Sequence, residues 1–369
     1  MLSMVYNISM RKIKPKNKII VALSGGVDSA VSAAILVEQG YDVTGVFMKN
    51  WSGEDFSLNS DCPWEVDQND AEKVCKTLAI PFKSVNFEKQ YREIVVKYFF
   101  DEYSKGRTPN PDVLCNKEIK FKLFLQYATE SGADLIATGH YARIKKNENG
   151  FQLLKGVDQN KDQSYFLHRL NQEQLSKSLF PIGDLQKTEV RKLAEKFKLP
   201  NSKKKDSQGI CFIGKIDVQD FLRENITVKI GDITDIDSNE IIGTHDGVMF
   251  YTIGQREGIG IGGAGKPYYV VSKDSGTNVL YVAKGKDNPA LYTNTVKFED
   301  IHWINPSDEK RKNISASIRY RHKPSQGDIN LSNSEFIFDE PQRAITPGQS
   351  IVFYDNDICL GGAIISQQA

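Results

Sequence analysis

Cys115 and Cys211 stand in polar, lysine-rich surroundings, where a thiol has more to do than fill space. Cys115 ends the string Thr108-Pro-Asn-Pro-Asp-Val-Leu-Cys115, and Lys117 and Lys120 follow it. Cys211 comes after Lys203-Lys-Lys205 and Gly209. Two prolines so close together argue against helix, so the first segment reads as a stiff loop. Neighbouring lysines lower a thiol pKa and favour the nucleophilic thiolate. Cys62, Cys75 and Cys359 have no such setting and read as small buried residues. The total of five cysteines is odd, with no C-x-x-C pair and no H-x-x-x-H pattern. That argues against a disulfide framework, a zinc ribbon or an iron–sulfur cluster, and for a reduced interior.

A second chemical feature is Ser24-Gly25-Gly26-Val27-Asp28-Ser29. It follows the apolar run Lys18–Leu23 and precedes a helical pattern from Asp28 to Gln39. Two glycines let the backbone approach a ligand and turn successive N–H groups toward it. The helix start behind them adds partial positive charge, so the loop suits phosphate. Asp28 and Ser29 are placed to cap the helix or help hold a metal ion. The string has no lysine and does not fit G-x-x-x-x-G-K-[ST]. Gly260-Ile-Gly-Gly-Ala-Gly265 does match G-x-G-x-x-G, but a strand-like Pro-Tyr-Tyr-Val-Val follows it where a dinucleotide site needs a helix. It reads as a mobile glycine-rich loop.

The elements that position these residues follow from periodicity. Strand-like Val43–Met48, helical Asp70–Leu78, strand-like Pro81–Phe87, helical Tyr91–Tyr103 and Phe121–Thr129, strand-like Ala133–Thr138 and helical Thr188–Phe197 make an α/β pattern with a parallel sheet. After about residue 216 short runs such as Val248–Tyr251, Tyr268–Ser272 and Val279–Val282 predict small β-structure, and beyond Gly285–Pro289 short alternating strands predict a barrel. The expected division is a basic extension 1–17, a catalytic domain 18–215, a β-rich central domain 216–287 and a C-terminal β-barrel 288–369. The extension carries Arg11, Lys12, Lys14 and Lys16 and no acid, and reads as frayed rather than as a transit peptide. No apolar run is long enough to cross a membrane. The formal net charge is +1, so a nucleic-acid partner must be held by local patches. In Ile314–Arg321 the alternation puts Ile314, Ala316, Ile318 and Tyr320 on one face and Ser315, Ser317, Arg319 and Arg321 on the other. With His322 and Lys323 this makes a basic edge suited to phosphate. Lys203–Lys205 is a second candidate.

The phosphate loop resembles that of the N-type ATP pyrophosphatase superfamily, whose members split ATP between its α- and β-phosphates and adenylate an oxygen on their substrate. Met48-Lys-Asn-Trp51, Thr108–Asp112, Leu114-Cys-Asn-Lys117, Ala137-Thr-Gly-His-Tyr-Ala142, Lys161-Asp-Gln-Ser-Tyr165, Gly209-Ile-Cys-Phe-Ile213 and Tyr251-Thr-Ile-Gly-Gln-Arg256 occur in order along the chain. Together they resemble the bacterial tRNA-specific 2-thiouridylase family. The resemblance implies ATP, with magnesium, lined by Ala22, Leu23, Ser24, Gly25, Gly26, Val27, Asp28, Ser29, Met48 and Gly139. It implies that the C2 oxygen of the wobble uridine, tRNA position 34, is adenylated and then replaced by sulfur. Cys211 would carry a persulfide, Cys115 would help release the sulfur and end in a disulfide with Cys211, and Asp112 would act as acid or base. Adenylation suits a poor electrophile such as C2=O, and a persulfide is a strong nucleophile at neutral pH. Asn110, Pro111 and Asp112 would meet the base, and His140, Lys161, Asp162, Gln163, Arg319, Tyr320 and Gln349 would touch tRNA. His140 reads equally well as a structural histidine. The implied partners are tRNAs for Lys, Glu and Gln and a persulfide donor, with a monomer working in the cytoplasm. An amide-forming ligase of the same superfamily has no need of two loop cysteines, and an RNA-binding module without catalysis has no need of the phosphate loop.

Overall fold

The computed structural model describes residues 17–52, 64–206, 218–262 and 265–368. The basic extension up to residue 16, Cys62, Cys211 and the middle of the glycine-rich loop lie outside these residues. Five parallel strands form the first sheet: β1 (Lys18–Leu23), β2 (Asp42–Lys49), β3 (Phe82–Asn86), β4 (Leu135–Ala137) and β7 (Ser178–Leu179), in the order β3-β2-β1-β4-β7. Between β1 and β2 runs α1 (Val27–Glu38). Its Val27, Ala30, Val31, Ala34 and Ile35 pack on Val190, Leu193 and Ala194 of α7 (Lys187–Lys196), while Ala33 and Leu36 reach the sheet core. A helix covered on two sides is apolar almost all round, and nine of its residues are buried. The Gly26–Ser29 corner is thereby fixed between two layers.

Two helical rods cover the other side. Glu88–Tyr91, Arg92–Val96 and Lys97–Ser104 make the first, α3. Pro111–Leu114, Cys115–Leu123 and Phe124–Glu130 make the second, α4. Each is wound wider in its middle segment, a π-helical feature that often marks functional sites. The loop expected at Thr108–Lys120 is corrected here. Pro111 takes the first helical position, where no N–H is required and its fixed φ suits the turn, so it starts a helix. Cys115 then lies on a helix and is 1% exposed.

The central unit carries α8 (Val218–Arg223) and a four-stranded sheet ordered β10-β11-β8-β9, built from β8 (Gly231–Asp235), β9 (Ile241–His245), β10 (Tyr268–Asp274) and β11 (Val279–Lys284). Val248–Phe250, expected as strand, is a turn of 3-10 helix. Six strands then close a barrel in the order β12-β15-β14-β13-β16-β17, with β12 paired to β17: β12 (Tyr292–Trp303), β13 (Ile314–Ser317), β14 (Ser325–Asn330), β15 (Glu335–Arg343), β16 (Ser350–Asp355) and β17 (Ile358–Gln368). A hairpin from earlier in the chain, β5 (Ala142–Asn147) and β6 (Gly150–Lys155), extends this sheet, with Leu153 and Leu154 opposite Cys359 and Ile358. Arg107–Glu299 at 2.6 Å, Arg169–Asp300 at 2.6 Å and Arg143–Asp357 at 3.2 Å tie the first unit to the barrel. Among the described residues no helix is long and apolar enough to cross a membrane.

Candidate active site

Gly25 turns the chain at φ +73°, and a Cβ there would meet the Asp67 carbonyl oxygen at 2.4 Å. Only glycine fits this turn. Gly26 is the N-cap of α1 and supplies no side-chain cap, so the first helical N–H groups stay directed at the loop mouth. Ser29 Oγ donates to the Gly26 carbonyl and accepts from the Ser24 amide, which draws the loop closed from inside. From behind, Asn201 Nδ2 donates to the Gly25 carbonyl at 3.0 Å. Gly139, just after β4, lies so close that a Cβ would come within 2.6 Å of the Ser29 nitrogen. Ala22 and Leu23 are buried at the end of β1, and Met48 is half-buried at the end of the neighbouring β2. The residues expected to line a nucleotide site therefore meet at the C-terminal edge of adjacent parallel strands, where α/β sheets bind ligands.

Asp28 links the loop to a cluster of charges behind it. Its carboxylate accepts from Tyr141 Oη at 2.8 Å and from Lys187 Nζ at 2.7 Å. Lys187 also meets Asp206 at 2.7 Å, and Asp206 pairs with Lys161 and Arg191. These hydrogen bonds and cations outweigh desolvation and hold the Asp206 carboxyl down at about 2. Lys204 pairs with Asp67 and Asp70, so residues 201–206 are fastened to the loop and its neighbours at three points. Lys187, Tyr141, Asp206 and Asn201 were missed in the sequence reading. One signal was available: Lys187 opens α7, and a cation in a first turn opposes the helix dipole unless an anion holds it.

The thiol of Cys115 departs from its sequence reading. Burial pushes it up to about 11, and Asp112 one turn earlier adds to the rise. Lys120 acts in the expected direction, as does a hydrogen bond from Tyr91, but both are outweighed. Cys75 and Cys359 are buried, as expected. His140 is buried between Phe121 and Phe180, with Nδ1 2.7 Å from Thr138 Oγ1. Desolvation, with the Lys120 charge, drives its pKa well below the ordinary histidine value, so the ring is neutral.

The remaining expected RNA contacts are engaged inside the protein. Asp162 accepts from the Gly156 and Ser164 amides and the Ser164 hydroxyl, Gln163 Oε1 accepts from the Tyr141 amide, and Lys161 holds Asp206. Tyr320 packs on Phe166 with ring centroids 4.4 Å apart. The alternating strand expected for Ile314–Arg321 ends at Ser317, because Ser317 Oγ bonds the Arg319 and His322 carbonyls and curls the chain into a turn. Ser315 and Ser317 are buried rather than solvent-facing. Arg319 Nη2 donates to the Ile253 and Ala344 carbonyls and to Thr346 Oγ1.

A glycine loop feeding an uncapped helix at the edge of a parallel sheet defines an α/β enzyme of the nucleotide-using, phosphate-gripping class. Residues 17–215 match the family profile described as tRNA methyl transferase HUP domain, 219–284 the tRNA methyl transferase PRC-barrel domain, and 293–365 the aminomethyltransferase beta-barrel domain. The tRNA-specific 2-thiouridylase MnmA of Staphylococcus saprophyticus subsp. saprophyticus is 52% identical over 353 residues, covering 94% of this chain and 95% of the relative. The protein of the same name from Bacillus subtilis strain 168 is 48% identical over 361 residues, covering 96% of each. A solved 4-thiouridine synthetase–RNA complex with bound ATP overlaps 54% of this chain and 45% of its own, at 18% identity and a TM-score of 0.33, too low to carry weight. The chain belongs to the tRNA-specific 2-thiouridylase family.

Proposed function

We propose that this enzyme uses ATP to replace the C2 oxygen of uridine 34 in tRNA by sulfur. The observation that carries the reading is the joining of the phosphate loop to the segment leading to Cys211. Asp28 and Asp206 share Lys187, so the chain is fastened beside the loop at Asp206, five residues before Cys211 in the sequence. The adenylyl group of ATP turns the C2 oxygen into a leaving group. Ser24–Ser29 grip the phosphates with backbone N–H groups, Gly139 closes one wall, and Ala22, Leu23 and Met48 line the nucleoside side. Magnesium would rest on phosphate oxygens, with Asp28 at the loop mouth as the candidate protein ligand once it yields its bonds to Lys187 and Tyr141. Asn110, Pro111 and Asp112 face the uridine, with Asp112 moving a proton. Cys211 carries the persulfide, and Cys115 takes part in releasing the sulfur, which ends in a Cys115–Cys211 disulfide. Cys115 must lose its proton to do so, and its buried setting keeps that proton in place until the substrate arrives. The acceptors are tRNAs for Lys, Glu and Gln, the sulfur comes from a persulfide donor protein, and the enzyme works as a monomer in the cytoplasm. Of the residues implied to touch tRNA, all but the buried Pro111 and His140 retain partial exposure.

The test uses tRNA transcripts, ATP and a persulfide donor. Cys211→Ser is expected to lose thiolation and persulfide labelling while keeping tRNA-dependent pyrophosphate release. Cys115→Ser is expected to accept the persulfide and fail to deliver it. A Cys211→Ser enzyme that thiolates at the wild-type rate would overturn the mechanism.

A further inference from the structure

The entry to α4 is held from outside its own domain. The Thr108 amide donates to the Pro347 carbonyl at 2.9 Å, and Gln349 Nε2 donates to the carbonyls of Thr108 and Pro109 at 2.9 and 3.1 Å. Gly348, at φ +91°, lies so close that a Cβ would come within 2.8 Å of the Thr108 carbonyl oxygen. From the central unit, Thr252 Oγ1 stands 3.2 Å from Thr108 Oγ1. Arg319 then ties both grips together, since Nη2 bonds the Ile253 carbonyl on one side and Thr346 Oγ1 on the other. The contacts from Pro347, Gln349 and Thr252 fall on the two residues just before Asn110, where the helix carrying Asp112 and Cys115 begins. We propose that Gln349 is a positioning residue of the thiolation site, its amide setting where Asn110–Asp112 stand through the Thr108 and Pro109 carbonyls. Thr252 assists from the central domain. This rests on the reading that Asn110–Asp112 face the uridine. It differs from a direct RNA contact, because both donor bonds of the amide are spent on protein carbonyls. Reacting groups displaced by about 1 Å cost up to about a hundredfold in rate without much change in substrate binding.

The full-length enzyme is assayed with a tRNA transcript for kcat and KM of thiolation, and for tRNA Kd by filter binding. Gln349→Ala and Gln349→Glu, which keeps the size but loses the N–H donors, are expected to lower kcat about tenfold or more. Their KM and Kd for tRNA stay within about twofold. Thr252→Val, nearly isosteric, is expected to lower kcat by about threefold, and Thr252→Ser to restore it. Coupling between Gln349→Ala and Thr252→Val is expected to be non-additive, because both act on Thr108. A rise in KM and Kd at constant kcat would make Gln349 an RNA contact and overturn the proposal, as would unchanged kinetics. Asn110→Ala and Asp112→Ala serve as the separate control. If they leave kcat intact, the uridine-facing assignment fails and takes the proposal with it. If they abolish turnover while Gln349→Ala does not, the positioning role alone fails.

Discussion

At the scale of single residues, Cys115 shows how neighbours in sequence and neighbours in space compete. Lys117 and Lys120 announce a reactive thiolate, and Lys120 does lower the thiol pKa. The burial that pushes it up comes from a core shared with Tyr91, Phe121 and Phe124 and with residues as distant in the chain as Leu167 and Phe221. A thiol with pKa about 11 is almost wholly protonated at neutral pH, so its alkylation rate rises roughly tenfold per pH unit up to that point. In the denatured chain the midpoint returns to about 8.5. Iodoacetamide labelling followed by peptide mass mapping is therefore expected to spare Cys115 in the native enzyme at pH 8 and to modify it in urea. Equal labelling in both states would mean that the thiol is not sequestered. Asp28 gives the converse case. Its place at the loop mouth was legible from Ser24–Ser29 alone, but Lys187 and Tyr141, which hold it, lie more than a hundred residues further along. No local spacing rule connects them.

Elements were read best where a pattern is long and one-sided. The strand–loop–helix of β1 and α1 and the helix α7 stand within a residue or so of their expected places, and the helix expected at Asp70–Leu78 ends as expected but starts six residues earlier, at Trp64. Misreadings arose where a local feature redirects the backbone. Pro111 starts a helix, Ser317 stops a strand, and Val248–Phe250 coils into a 3-10 turn. The π-helical middles of α3 and α4 left no mark in apolar spacing, because a wider turn shifts the pattern by one residue only. The approach of β4 to α1 at Gly139 belongs to this scale. Gly139→Ala places a methyl group 2.6 Å from the Ser29 nitrogen, which must push the strand end from the helix start. Overpacking of this kind costs about 1–3 kcal/mol. The expected outcome is a lower melting temperature and a loss of tRNA-dependent pyrophosphate release larger than the stability change explains, with tRNA binding retained. Unchanged release would remove Gly139 from the nucleotide wall.

Across the whole molecule, the succession of α/β, central β and barrel parts was readable from changes in texture along the chain, but their interlocking was not. The β5–β6 hairpin completes a sheet that lies far down the chain, and Arg107, Arg143 and Arg169 each pair with barrel carboxylates. Strand pairing shared between parts makes independent unfolding costly, so one cooperative transition is expected. In a Trp51→Phe, Trp64→Phe enzyme, Trp303 on β12 reports on the barrel alone. Its fluorescence midpoint in urea is expected to coincide with that of far-UV circular dichroism for the whole chain, and two separated midpoints would show that the barrel melts alone. The same hairpin has a consequence during synthesis. β6 leaves the ribosome about 200 residues before β17, and at 5–20 residues per second its partner is roughly 10–40 s away. For that interval the nascent chain presents an unpaired strand edge, the kind of surface on which chains aggregate. Chaperone cover would be needed there, and translation that stalls short of β17 would leave that edge unpaired.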